Sequence, residues 1–235
     1  MNLLWYHAFH RDTEPEMMDV LRVGPQPNPN PHCTTKRNEA ALGITPAHVY
    51  AYLGRTTEAF GDSCVLLEKD PPPGLISPFD SGGLVRHIQP VCTWTADERR
   101  GFLNAYTWPS SEITHRIAEY PTLSDDSLQH YVSGVAPTGL GPHQIWDSVQ
   151  ADIWNTANDW PAWTWELRCP LLLPTNGQLK RWTCPPGYYP VLLQYIEDHI
   201  ANHPDDSDIL LQVLSAYHEG GVSELYEAVC RGEVA

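Results

Sequence analysis

The sequence predicts an α+β fold. Short aromatic-rich runs of strand length, such as Leu3 to His10 and His48 to Leu53, stand among longer segments with helical spacing. No internal repeat is visible, and 22 Pro and 16 Gly make much of the chain loop between short elements. At 235 residues, 42% hydrophobic and with nine Trp, the chain can build one substantial core, or a core domain with a small appendage.

Residues 2–10 read as a largely buried strand, because the apolar run is too short for a helix and rich in aromatics. Glu14 to Leu21 can form a short helix. In Gly24 to Pro31 every second residue from Pro25 is proline, which forbids a helix and makes a surface connector or a loop bordering a site. After Thr45-Pro46, His48 to Leu53 alternates as a strand does. Tyr50 and Tyr52 share one face, and Val49, Ala51 and Leu53 the other. Cys64 to Glu68 is a further strand, stopped by Asp70-Pro71-Pro72-Pro73-Gly74. Ser77 to Leu84 is a glycine-serviced turn that leads into a strand at about Leu84 to Ile88.

The centre changes to helical signals. Thr95 or Asp97 can cap a helix through about Thr107, Ser110-Ser111 another through Glu119, and a short one can run from Ser124 to Val132. From Pro142 to Ala157, Ile145, Val149 and Ile153 recur at four-residue spacing beside Trp146 and Trp154, an amphipathic helix built for core packing. A strand around Thr164 to Leu172 follows. Beyond Gly177 and the Pro185-Pro186-Gly187 turn, helices are expected over Pro190 to Asn202, Ser207 to His218 and Ser223 to Arg231. In the first of these Leu192, Leu193, Ile196 and Ile200 point inward. The expected organisation is an α+β domain over 1–184 and a helical C-terminal subdomain over 185–235 packed on it.

A net charge of −15, with only 14 scattered basic residues, argues against an extended nucleic-acid-binding face and suits a basic protein partner. Cys33, Cys64, Cys92, Cys169, Cys184 and Cys230 form no C-x-x-C pair, so zinc-ribbon spacing is absent. The N-terminus has no basic flank or long apolar run, and no segment approaches the roughly 20 apolar residues of a membrane span. A cytoplasmic chain with reduced thiols and no membrane partner is therefore expected.

Three strands offer His7, then Tyr50 and Tyr52, then Glu166 in Trp163-Thr164-Trp165-Glu166-Leu167-Arg168. Cleavage of an N-glycosidic bond to ribose passes through an oxocarbenium-like state, and a carboxylate beside the developing charge stabilises it. An aromatic ring gives a planar leaving group a surface to stack on, and a histidine can fix a ribose hydroxyl. The order and setting resemble the His-Tyr-Glu class of ADP-ribosyltransferases, including the diphtheria-toxin and poly-ADP-ribose polymerase branches. In that family a histidine follows an aromatic on an early strand, as in Trp5-Tyr6-His7-Ala8 here. A tyrosine lies on a later strand, and a glutamate starts or sits in another strand well downstream.

The resemblance implies a split β-sheet with peripheral helices and NAD+ as substrate. By the same resemblance Glu166 would be the catalytic carboxylate, His7 the ribose contact, the Ala8 backbone the nicotinamide-amide contact, and Tyr50 or Tyr52 the stacking ring. Such an enzyme would act on an acceptor macromolecule that the sequence does not identify, as a transferase of the toxin or defence-effector kind. The family's glycine-rich cradle has only Gly43 and Gly54 as counterparts.

Other readings compete for the same residues. Arg168 lies two positions after Glu166, on the same strand face, so the two can form a structural ion pair. His7, His10, His32 and Cys33 are metal-ligand types, but His7 and His10 point to opposite faces of a strand, and no metal is expected. Asp80-Ser81-Gly82-Gly83 is an ordinary turn or an anion-binding one, with Asp80 tying the turn or bordering a cleft. No G-x-S-x-G elbow, Walker loop or Rossmann fingerprint is present. The alternative function is a non-enzymatic acidic binding protein, of the antitoxin, immunity or inhibitor type, acting on a basic partner.

Overall fold

The computed structural model describes residues 3–10, 17–27, 34–44, 48–53, 56, 60–78, 80–82, 95–119, 165–171, 173–175 and 178–234. Antiparallel strands and separate helices make the fold α+β. The chain forms two interleaved compact units, one of Met1–Asn28, Thr56–Asp70 and Leu171–Ala235, the other of Pro29–Arg55 and Pro71–Pro170.

In the first unit β1 (Leu3–Phe9) pairs antiparallel with β3 (Ser63–Lys69), from Leu3 opposite Lys69 to Phe9 opposite Ser63. On its other side β3 pairs antiparallel with β7 (Leu179–Thr183). Alternate residues of these strands meet different helices. Phe9, Val65 and Trp182 pack with α1 (Met17–Arg22), α5 (Tyr189–Asn202) and α6 (Ser207–Ser215). Tyr6, Cys64 and Leu66 pack with α7 (Val222–Cys230), where the Tyr6 and Tyr226 rings meet edge-on at 5.6 Å. Burial of both faces explains why β1 and β3 read as continuous apolar runs instead of clean alternation. The buried Trp182 keeps its indole N–H satisfied by donating to the Val213 carbonyl at 2.6 Å.

The α5 residues expected to face inward do so, with Leu192 and Ile196 buried and Leu193 and Ile200 half-buried. Strand β7 is not legible in the sequence, because Lys180 and Arg181 interrupt its apolar pattern. Its pairing also shifts register: Leu66 faces Arg181 but Leu67 faces Leu179, which makes Lys180 the extra residue of a bulge.

In the second unit the order is β5 (Trp108–Pro109), β4 (Leu75–Ser77), β6 (Glu166–Cys169), β2 (Val49–Tyr52), every neighbouring pair antiparallel. Strands β4 and β5 have three and two residues, too few to register a period of two, and the sequence reading passes over them. Close backbone approach is built in at Gly74, where a Cβ would lie 2.6 Å from the Arg168 carbonyl oxygen. Helix α2 (Thr34–Leu42) is also unforeseen, since its polar sequence offers little apolar stripe. It ends at Gly43, whose φ of +68° is left-handed, and Arg100 Nε donates to the Leu42 carbonyl at 3.3 Å. Arg100 belongs to α3 (Ala96–Ala105), which lies within the helix expected there. A 3-10 turn at Ser110–Glu112 leads into α4 (Ile113–Glu119), as the Ser110-Ser111 signal implied.

The strand expected at Leu84 to Ile88 and the helices expected at Ser124 to Val132 and Pro142 to Ala157 lie outside the described residues. So do His32 and Cys33. Cys64, Cys169, Cys184 and Cys230 are free thiols. Among the described residues no helix is long and apolar enough to cross a membrane.

Candidate functional site

Glu166 opens β6 and is wholly buried. Antiparallel pairing sets it opposite Tyr52 in β2 and opposite Ser77 in β4, and sets Arg168 opposite Tyr50. A carboxyl in such a place needs partners, and it has three. The Ser81 backbone N–H donates to Glu166 Oε2 at 3.0 Å. Arg168 Nε lies 3.6 Å from Oε1, an ion pair just beyond hydrogen-bond length. The third partner is the Asp80 carboxyl, within hydrogen-bonding reach, and two carboxyls can share such a bond only by holding a proton between them. Burial first and Asp80 second hold the Glu166 carboxyl well above the usual carboxylate range, against the opposing pull of Arg168 and the Ser81 N–H.

Asp80 is fixed in turn by its own loop: Gly82 N–H donates to Oδ1 at 3.0 Å, closing an Asx turn over Ser81. Asp80 thus ties the turn, as one expected reading has it, and also stands beside Glu166. Arg168 is almost as buried as Glu166. Its Nη2 donates to Ser77 Oγ at 2.8 Å and Thr107 Oγ1 at 2.7 Å, and Thr107 passes its own hydrogen to the Leu103 carbonyl at 2.6 Å. The guanidinium is thus anchored by strand β4 and the segment after α3, independently of Glu166.

The tyrosines differ. Tyr52 is buried and Tyr50 half-buried. The Tyr50 hydroxyl donates to Glu39 Oε1 at 3.0 Å, and the same oxygen accepts the His48 backbone N–H at 3.0 Å. This makes the buried Glu39 of α2 the clasp that orients β2. Burial, then the charges of Glu166 and Glu39, push the Tyr50 phenol above its ordinary range; burial, then Asp80 and Glu166, do the same to Tyr52. Both stay neutral donors at any physiological pH.

His7 and Ala8 belong to the first unit, on β1. His7 is buried, stacks on Phe9 at 5.4 Å and lies opposite Val65; Ala8 lies opposite Cys64. The second unit by itself gathers Tyr50, Tyr52 and Glu166, together with Asp80 and Arg168. Sequence reasoning finds Arg168 from its spacing and reads Asp80 as tying its turn or bordering a cleft, not as a neighbour of Glu166. It missed Ser77, Thr107 and Glu39, because their partners lie 91, 61 and 11 residues away. Among the described residues no group of three or more His, Cys, Asp or Glu is placed to hold a metal ion.

Comparison of the chain with protein-family models, with curated proteins and with solved structures finds no match.

Proposed function

We propose that this chain is an NAD+-dependent ADP-ribosyltransferase of the His-Tyr-Glu class. The observation that carries the proposal is the position of Glu166: first residue of a late strand, hydrogen-bonded in register beside the strand that bears Tyr50 and Tyr52. In the family the sequence resembles, the catalytic glutamate likewise starts or sits in a strand well downstream of the tyrosine. The buried neighbourhood of Glu166, Asp80 and Arg168 supports it chemically, because carboxyl groups in a low-dielectric setting act strongly on a developing positive charge.

In the reaction the C1′–nitrogen bond of NAD+ breaks and its electron pair leaves with neutral nicotinamide. The ribose cation that forms is stabilised by the carboxylate pair, and an acceptor hydroxyl, amine or water adds to C1′ and gives up its proton. Half-buried Tyr50 is the stacking ring of choice over buried Tyr52. The roles of His7 at the ribose and Ala8 at the nicotinamide amide follow from the resemblance alone. Glu166 is wholly buried, so its contact with substrate requires local opening around it. The acidity of the chain favours a protein or small acceptor over an extended nucleic acid.

Incubation with NAD+ labelled in its adenylate half, with and without cell extract, tests the proposal. The label is expected to leave NAD+ as free ADP-ribose or to become attached to an acceptor. Intact NAD+, with no rise in the protein's melting temperature on adding it, sinks the enzyme and leaves an acidic binder of a basic protein.

A further inference from the structure

We propose that a pocket in the first unit, between the end of α1, the bulge of β7 and α6, binds a small phosphorylated ligand. The inference is independent of NAD+ cleavage, because the pocket shares no residue with the Glu166 cluster.

The pocket holds about 480 Å³, within the range of small-molecule sites. Arg22, Lys180 and Arg181 all line it, three of only 14 basic residues in a chain with 29 acidic ones. Their convergence has a structural cause. Consecutive strand residues normally point to opposite faces, but the bulge at Lys180 breaks the alternation and lets Lys180 and Arg181 serve one pocket. Arg22 joins them from the last position of α1.

The charge is not used up internally. Lys180 is paired with Glu68. Arg22 and Arg181 have no carboxylate within ion-pair distance among the described residues. Asp206, bound first to His199, is the acid that feels the field of Arg22. Arg181 Nη1 donates to the Lys180 carbonyl at 2.7 Å, which leaves four of its five N–H groups for a ligand.

Two guanidinium forks with free donors select a tetrahedral polyanion over a single carboxylate. Gln212 of α6 adds a neutral donor at the wall, where the Ser215 hydroxyl already donates to the Gln212 carbonyl at 2.9 Å, and Leu21 and Val213 give an apolar floor for an organic moiety. The net charge of −15 repels a long polyanion while a local cationic pocket can still hold one or two phosphates, so a small molecule is favoured over a nucleic acid.

The test is calorimetric titration of the full chain with inorganic pyrophosphate at low salt. Saturable one-site binding is expected, weakened about tenfold or more in Arg22→Gln/Arg181→Gln. Arg231→Gln, which removes an exposed arginine paired to Glu227 and Glu233, is expected to bind as wild type does. Ser215→Asp, an exposed position that puts a negative charge at the wall, should abolish binding in a folded protein even if the double variant unfolds. Absence of saturable binding, equal weakening in Arg231→Gln, or undiminished binding in Ser215→Asp overturns the proposal. Tighter binding of a single-stranded oligonucleotide than of pyrophosphate overturns the small-ligand assignment.

Discussion

Glu166→Gln is nearly isosteric: it keeps an oxygen to accept the Ser81 N–H and removes the ionisable carboxyl that Asp80 disfavours as an anion. The direction of its effect on stability follows from linkage. Glu166 in the folded protein binds its proton more tightly than at its ordinary value of 4.5, so its contribution is complete below that value and is lost as pH rises through the folded pKa. The wild-type melting temperature should therefore fall more steeply than that of Glu166→Gln between about pH 5 and pH 8. Parallel curves at constant ionic strength would contradict the buried acid pair. Arg168→Met is the opposite case. It strips the charge partner from the buried Glu166 and the donor from Ser77 and Thr107, and should cost about 3–5 kcal/mol in denaturant unfolding. Tyr50→Phe removes the hydroxyl that donates to the buried Glu39 carboxylate and should cost about 1–2 kcal/mol.

At the scale of elements, the C-terminal helices pack onto β1, β3 and β7, and this can be measured. Ile196 is wholly buried in α5, so Ile196→Ala should cost about 2–5 kcal/mol, whereas Val191→Ala on the exposed side should stay within about 0.5 kcal/mol. Equal effects in denaturant unfolding would mean that the helix face is wrongly placed. Sequence legibility follows the same physics. Long apolar runs such as Leu3 to Phe9, and helices with a clear stripe such as α5, declare themselves because one face or both must be buried. Strands β4 and β5 are too short to show a period, β7 hides behind Lys180 and Arg181, and α2 is nearly polar throughout. The candidate site was half legible. Glu166 and Arg168 stand two apart in an apolar strand, which signals a buried pair. Asp80, whose carboxyl meets that pair from a turn far away in the chain, gives no local sign of it.

For the whole molecule, the balance of 14 basic against 29 acidic residues sets what it meets. That balance opposes a general polyanion-binding surface, so affinity for duplex DNA should be negligible at physiological salt, as read by fluorescence anisotropy. The proposed chemistry on NAD+ requires no such surface, because the stabilising carboxylate acts locally on the ribose.

Nicotinamide release from NAD+ by wild type, Glu166→Gln and Arg168→Met tests the central claim most directly. Release by wild type that falls about a hundredfold or more in a folded Glu166→Gln is the predicted result. Release undiminished in Glu166→Gln, or none from folded wild type, would reduce the Glu166–Arg168 pair to a structural ion pair and contradict the proposed enzyme.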